Sequence, residues 1–581
     1  MKSFKKVVSV ALAAAMTLSM ASVAFAIDPQ PGIPHAETSA TAGVQESKGT
    51  AAVTLSTGSE SSSDYSASAH TYNAIKLFDL YKVMEADGTT QAKDSNGNNV
   101  YQYRFVPEFT DAMKTSLQSA LNAGGFKIDM NTCAITKTDD SEIATQAGQN
   151  EKASDAAKLA AILAKFADQN KATFTNTAEE PHKFLDMKAG TAKNLEDGYW
   201  VIYEASNEAD DGSVATKPIL LDVRSGETGG GQRNIALKDA KVTVDKKIVS
   251  ANAHSVNKDD LAIGDVVKFE VDTNFPIYQA DSATTFTGAK FEILDNLSEG
   301  LTLDQTKITV TIDGERQPTP AGADTFTTTG TDANTLKIAF ANAFIMAHQG
   351  EAIVVNYEAA LNEKAAYNDA DGNPNTVTLT YSNNPMNSSD VKTLTDHTES
   401  YTYAFDLRKL DGAYDTILAG AEFEMKKGGN VVKFRMGANG EYIVDPNGSV
   451  AKITTTSADL KIVGLDEGTY TLHEIKAPTG YSLLAQDVTV TIAAVVESGE
   501  ITGACTVTVS NSTAITDTAN DTEGASKTTG VTGASDVNVV VRNYRGITLP
   551  ETGSIAAIAT IVFGLGNMLG GAVLISRKKN D

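Results

Sequence analysis

Alternation along a handful of short apolar runs places amines, carboxyls and carboxamides on faces that otherwise belong to a core. In Tyr403-Ala404-Phe405-Asp406-Leu407-Arg408-Lys409 the apolar side is Tyr403, Phe405 and Leu407, and a strand period of two puts Lys409 on that side. Tyr470, Leu472 and Glu474 share a face in the same way, as do Val539, Val541 and Asn543. A second set lies earlier in the chain: Lys246 with Val242, Val244 and Ile248; Asp295 with Phe291 and Ile293; Asn383 with Val377, Leu379 and Tyr381. Lys247 and Asn384 are the off-parity alternates. Burial disfavours charge, so a buried lysine becomes a neutral amine nucleophile and a buried carboxyl a protonated acid. On parity alone the better account is residues at strand ends whose polar heads reach solvent, as lysine heads commonly do.

The elements that position these residues are mostly strands. Residues 27–68 are rich in Ser, Thr, Ala, Gly and Pro and read as a flexible leader, because they bury too little to offset their ordering entropy. Residues 69–239 are mixed. Tyr72 to Phe78, Tyr199 to Tyr203 and Pro218 to Val223 look like strands, whereas Asp111 to Asn122 and Ser154 to Asp168 carry helical spacing. From 240 to 400 about seven short apolar runs are separated by Asp, Gly, Asn and Pro, which predicts a β-sandwich. Residues 401–546 predict a smaller one. Asp369-Ala370-Asp371-Gly372-Asn373 lacks the acidic residue that would complete a calcium loop and reads as a polar turn.

The two ends set an address. Residues 1–26 have a basic start (Lys2, Lys5, Lys6), an apolar stretch and an Ala24-Phe25-Ala26 cleavage pattern, which predicts a signal peptide. Residues 547–581 hold Leu549-Pro550-Glu551-Thr552-Gly553, a mostly apolar run from Ile555 to Ile575 and the basic cluster Arg577-Lys578-Lys579. That run of about 20 residues suffices to cross a membrane, and the basic stop keeps its end cytoplasmic. The net charge of −25 becomes more negative once both basic ends are removed, which argues against nucleic-acid binding. Cys133 and Cys505 are the only cysteines, too few for a disulfide framework. Seven histidines supply no H-E-x-x-H, no G-x-S-x-G occurs, and no cofactor or metal is implied.

Residues 549–553 resemble the L-P-x-T-G sorting signal of Gram-positive surface proteins. The resemblance implies that a sortase cuts between Thr552 and Gly553, with Leu549, Pro550, Thr552 and Gly553 as its recognition string, and passes the Thr552 carbonyl to an amine. Leu418 to Glu424 and Tyr470 to Tyr481 resemble the collagen-adhesin B-type domain of Gram-positive pilins. In that family a first-strand lysine and a last-strand asparagine join in a spontaneous isopeptide bond assisted by the glutamate of a Tyr-x-Leu-x-Glu box, which implies Lys409 to Asn543 with Glu474 as catalyst. Gly264 to Phe269, Ile293 to Leu301 and Leu379 to Pro385 resemble the isopeptide-forming middle domain of fimbrial shaft proteins, implying Lys246 to Asn383 with Asp295. Tyr72 to Phe78 and Asp197 to Trp200 resemble the N-terminal domain of the same family, where Lys76 finds no clear partner. The family's acceptor lysine usually lies in a Tyr-Pro-Lys-Asn string; the corresponding junction here, Asn234 to Asp239, puts Lys238 in its place, with Lys217 and Lys241 as runners-up.

The fold class expected is mainly β: tandem immunoglobulin-like and prealbumin-like sandwiches, the first domain with helical insertions. The function implied is a non-enzymatic shaft subunit of a sortase-assembled fimbria on the Gram-positive cell wall, supporting adhesion. Its expected partners are pilus-type and housekeeping sortases, identical subunits, minor pilins, peptidoglycan and an unidentified host ligand. A single-copy wall-anchored adhesin is the alternative.

Overall fold

The computed structural model describes residues 44–57, 70–93, 97–144, 154–178, 180–207, 218–227, 232–237, 241–250, 253–278, 288–318, 326–329, 334–383, 389–510, 514–517, 527–528 and 538–545. The expected signal peptide, the acceptor Lys238, Lys217, Asn384 and the whole sorting signal lie outside the described residues. No helix among the described residues is long and apolar enough to cross a membrane. The described strands pair only within three stretches, 44–237, 244–401 and 403–543. The chain divides compactly at Thr402/Tyr403, with residues 496–503 grouped with the first unit.

In the first stretch a sheet runs in the order Val44–Glu46, His70–Val83, Gly198–Asn207, Ile219–Val223, with Tyr101–Phe105 and Lys183–Lys188 also paired to the long strand. Both faces of this sheet are covered. Tyr199, Val201 and Tyr203 point at the helices Asp111–Ala123 and Asp155–Asn170 through Leu117, Leu121, Leu159 and Leu163. Trp200 and Ile202 point the other way, at Val53, Leu55 and Ile235 of a three-stranded sheet. The helices begin where the sequence supplies caps: the side chains of Thr110 and Ser154 accept from the amides of Met113 and Ala157.

One expectation fails here. Part of the leader expected to be flexible is structured: Val44–Glu46 and Thr50–Thr57 are strands, the latter parallel to Gln232–Leu237 and antiparallel to Lys193–Glu196. The reason is alternation. Ala51, Val53 and Leu55 fall on one face and are buried, enough to order a short strand despite polar neighbours.

The second stretch is a sandwich of a five-stranded and a six-stranded sheet. The five-stranded sheet has the order Val244–Ile248, Val266–Asn274, Ala352–Leu361, Leu301–Ile312, Glu315–Arg316. The six-stranded sheet has Lys258–Asp260, Val391–Tyr401, Asn373–Ser382, Phe291–Leu297, Thr335–Phe340, Phe326–Thr329. The third stretch is again a sandwich. In one of its sheets the first strand, Tyr403–Asp411, lies parallel to the last long one, Asn538–Asn543. The Gly468–Lys476 strand belongs to the other sheet, paired with Glu422–Lys427.

Candidate functional site: buried lysine, acid and asparagine clusters

In the third stretch the three residues singled out by parity meet. The register sets Lys409 opposite Val541 and Asp411 opposite Asn543, so Lys409 and Asn543 are diagonal neighbours on adjacent strands. Glu474 enters from the facing sheet. Lys409 Nζ lies 3.1 Å from Glu474 Oε1 and donates to Asn543 Oδ1. Asn543 Nδ2 donates to both Glu474 oxygens at 3.0 Å and to the Ser482 carbonyl at 2.8 Å. Glu474 Oε2 also accepts from the Leu484 amide, which fixes the carboxyl in place. Lys409 is 2% exposed and its amine sits 5.2 Å from the centre of the Phe423 ring. Burial pulls its pKa from 10.5 down to about 8, with Glu474 opposing that shift.

The middle cluster is built differently. Lys246 is fully buried on Val244–Ile248 in the five-stranded sheet, and Asp295 is fully buried on Phe291–Leu297 in the facing sheet. Their Nζ and Oδ2 are 2.6 Å apart. Lys246 Nζ also donates to the Tyr357 hydroxyl and lies 5.0 Å from the ring centres of both Phe269 and Tyr357. Desolvation lowers the Lys246 pKa and Asp295 opposes it.

Asn383 is not at this cluster. It lies just past the end of Asn373–Ser382, where its amide group donates to Asp390 Oδ2 at 3.0 Å. The asparagine that joins the site is Asn375, fully buried, whose Nδ2 donates to the Tyr357 hydroxyl at 2.7 Å. Both asparagines have the same parity, so alternation does not separate them. Register does: Asp295 stands opposite Val377 and Leu297 opposite Asn375, which puts Asn383 about 27 Å farther along at ~3.4 Å per residue. The off-parity Lys247 is half-exposed and paired with Asp245 and Asp272.

Sequence reasoning missed Asn375 and Tyr357. Asn375 precedes the run taken as a strand and follows a proline, so it reads as a turn; the strand in fact starts at Asn373, and Pro374 sits near its beginning, where the sheet tolerates proline. Tyr357 shares parity with the buried Ile353 and Val355, a signal that marks it as core and says nothing of its hydroxyl.

In the first stretch, Lys76 is buried among acids, 2.7 Å from Asp79 and 3.2 Å from Glu196. Gly198, at φ +146, leaves room for it: an added Cβ would come within 2.4 Å of Lys76 Cε. Cys133 and Cys505 are both buried and unlinked. Among the acceptor candidates, Lys241 is described and half-buried.

Three family models match parts of the chain. Residues 404–508 match a prealbumin-like fold domain (SpaA), residues 263–385 a Cna-B-like domain of Gram-positive pilin backbone subunit 2, and residues 544–581 an LPXTG cell wall anchor motif. No curated protein sequence matches the chain. The T6 backbone pilin of serotype M6 Streptococcus pyogenes is 15% identical, with 86% of this chain and 100% of that one aligned at a TM-score of 0.52. The major pilin SpaD of Corynebacterium diphtheriae is 15% identical over 86% of this chain and 98% of its own, with a TM-score of 0.41. The pilus 2b backbone protein of group B streptococcus is 22% identical over 53% and 99%, with a TM-score of 0.35. At such identities the likeness is one of fold, and the first of the three carries it.

Proposed function

We propose, from a chain assembled of Gram-positive backbone-pilin domains and closed by a cell-wall anchor motif, that it is the shaft subunit of a sortase-built pilus whose domains cross-link themselves. Its place is the cell surface, anchored to the wall. The observation that carries the self-cross-linking is the recurrence of one arrangement on two sandwiches: a desolvated lysine, a buried acid and a buried asparagine gathered by elements far apart in sequence. Lys409 joins Asn543 with Glu474 as proton carrier, and Lys246 joins Asn375 with Asp295. Folding supplies the proximity, and each site turns over once. In each case the amine attacks the carboxamide carbon, an amide forms and ammonia leaves.

Assembly uses the chain as a substrate. A pilus-type sortase takes the Thr552 acyl group after cutting before Gly553 and passes it to a lysine of the next copy, Lys238 at the junction of the first two domains. The housekeeping enzyme passes the final copy to peptidoglycan, and minor pilins decorate the fibre. The result is a head-to-tail, open-ended polymer. Beyond its own cross-links the chain has no catalytic task, and its acidic surface does not suit nucleic acid. The test is a wall extract from cells carrying the pilus sortase, run under denaturing conditions. A ladder of covalent multimers that collapses to monomer in Lys238→Ala supports this reading; a single wall-linked monomer in the unaltered strain identifies the single-copy adhesin instead.

A further inference from the structure

The two lysine clusters reach the same juxtaposition with different parts. In the third domain Glu474 touches both reacting groups itself, Lys409 at 3.1 Å and Asn543 Nδ2 at 3.0 Å. Asp295, one methylene shorter, lies 2.6 Å from Lys246, while its other oxygen, Oδ1, is buried without a hydrogen-bond partner. The Tyr357 hydroxyl stands between Asp295 and Asn375. It accepts from Asn375 Nδ2 at 2.7 Å, donates to Asp295 Oδ2 at 2.6 Å and accepts from Lys246 Nζ. Among the described residues it is the one group that contacts the nucleophile, the acid and the leaving nitrogen together.

We propose that Tyr357 is a catalytic residue of the middle domain, relaying a proton from Asp295 to the leaving nitrogen of Asn375; this rests on the amide-forming reading above. The neutral amine of Lys246 attacks Asn375 Cγ, and the carbonyl electrons move onto Oδ1. The attacking nitrogen passes its surplus proton to Oδ2 of Asp295, which enters the step as a carboxylate accepting from the Tyr357 hydroxyl. Attack also turns Nδ2 from a planar amide nitrogen into a pyramidal amine with a lone pair, so its contact with Tyr357 reverses: the phenol now donates to it and takes a replacement proton from Asp295. The Cγ–Nδ2 bond breaks as the Oδ1 electrons return. Nδ2 leaves as ammonia, one amide is made, and Asp295 and Tyr357 end as they began. Burial holds the Tyr357 phenol well above its ordinary pKa, so it is protonated both before and after the relay. No water or outside reactant takes part.

The bland alternative is that Tyr357 is a core tyrosine whose hydroxyl happens to be satisfied. The two readings separate in the full mature chain made in a timed cell-free pulse, with the Lys246–Asn375 and Lys409–Asn543 cross-linked peptides followed by mass spectrometry. Tyr357→Phe slows appearance of the middle-domain peptide about hundredfold or more, the scale of a lost general acid, and leaves the third-domain peptide unchanged as an internal control. Ring-fluorinated tyrosine placed at 357 keeps the shape, and the rate follows phenol acidity. A Tyr357→Phe rate equal to wild type overturns the relay. Should that variant not fold, a fluorinated chain that matches wild type overturns it equally. A wild-type chain in which the third-domain peptide forms and the Lys246–Asn375 peptide never does removes the amide reading of the middle domain, and the relay with it, whatever the variants do.

Discussion

At Lys409 the decisive quantity is protonation. Burial brings its pKa down to about 8, and the neutral amine is the form that attacks. The sign follows: the reactive fraction is near its maximum above pH 8 and falls as pH drops below it. Bond formation timed after a synthesis pulse is therefore slower at pH 6.5 than at pH 8.5, by about tenfold for each unit below the pKa. Equal rates at the two values would show that the lysine does not titrate in this range. Glu474 has two roles that substitution separates. Glu474→Gln keeps a side chain of the same size but removes the acid, so the domain folds without the bond. Glu474→Ala also removes the acceptor oxygen that Gln retains for Asn543 Nδ2 and the Leu484 amide, at an additional cost of about 1–3 kcal/mol for each donor left unpaired, read in thermal or denaturant unfolding.

At the scale of elements, parity and register separate what the sequence could and could not disclose. Alternation found the inward Lys409, Glu474 and Asn543, because each lies on a strand whose remaining inward residues are plainly apolar. It found Lys246 and Asp295 for the same reason. It could not choose between Asn375 and Asn383, which share one face of one strand; the choice depends on how Asn373–Ser382 slides against Phe291–Leu297, and no local signal encodes that. Strand Val391–Tyr401 carries no clear apolar alternation, because most of its residues are polar. The Thr50–Thr57 strand was missed because its neighbours are Ser, Thr and Gly, and only its pairing with Gln232–Leu237 makes its apolar face useful. The two helices of the first stretch were legible within a residue or two, since both carry caps and a 3.6-residue apolar stripe; the short Asn342–Ala347 helix, which has no side-chain cap, was not. The register argument has a direct check: peptide mapping of Asn375→Ala finds the middle-domain cross-link gone, whereas Asn383→Ala retains it. The reverse pattern would return the site to the end of the strand.

For the whole molecule the two proposed bonds would do different work. The proposed Lys246–Asn375 bond would join strands of facing sheets, Val244–Ile248 and Asn373–Ser382, and so hold the sandwich shut. The third-domain bond joins the first strand to the last long one, which lie side by side. With that amide formed, tension entering at Tyr403 and leaving toward the sorting motif would pass through it and bypass the 134-residue separation between Lys409 and Asn543. Under force the wild-type third domain does not extend; in Lys409→Ala it yields about 45 nm of chain at roughly 3.4 Å per residue. On the loop-entropy scale developed for disulfides, closing a loop of that size disfavours the unfolded chain by about 4–5 kcal/mol. Two cysteines are too few for a disulfide framework, and the proposed amides would take the place that disulfides hold in other secreted domains.

The most direct test of internal cross-linking is the intact mass of recombinant chain from Ile27 to Thr552, followed by tryptic mapping. The account predicts a mass short by two ammonias, with linked peptides joining Lys246 to Asn375 and Lys409 to Asn543, and a mass short by only one in either Lys246→Ala or Lys409→Ala once the substitution itself is allowed for. A wild-type mass equal to that of the unlinked sequence would contradict it, leaving a wall-anchored protein with pilin folds and no self-made bonds.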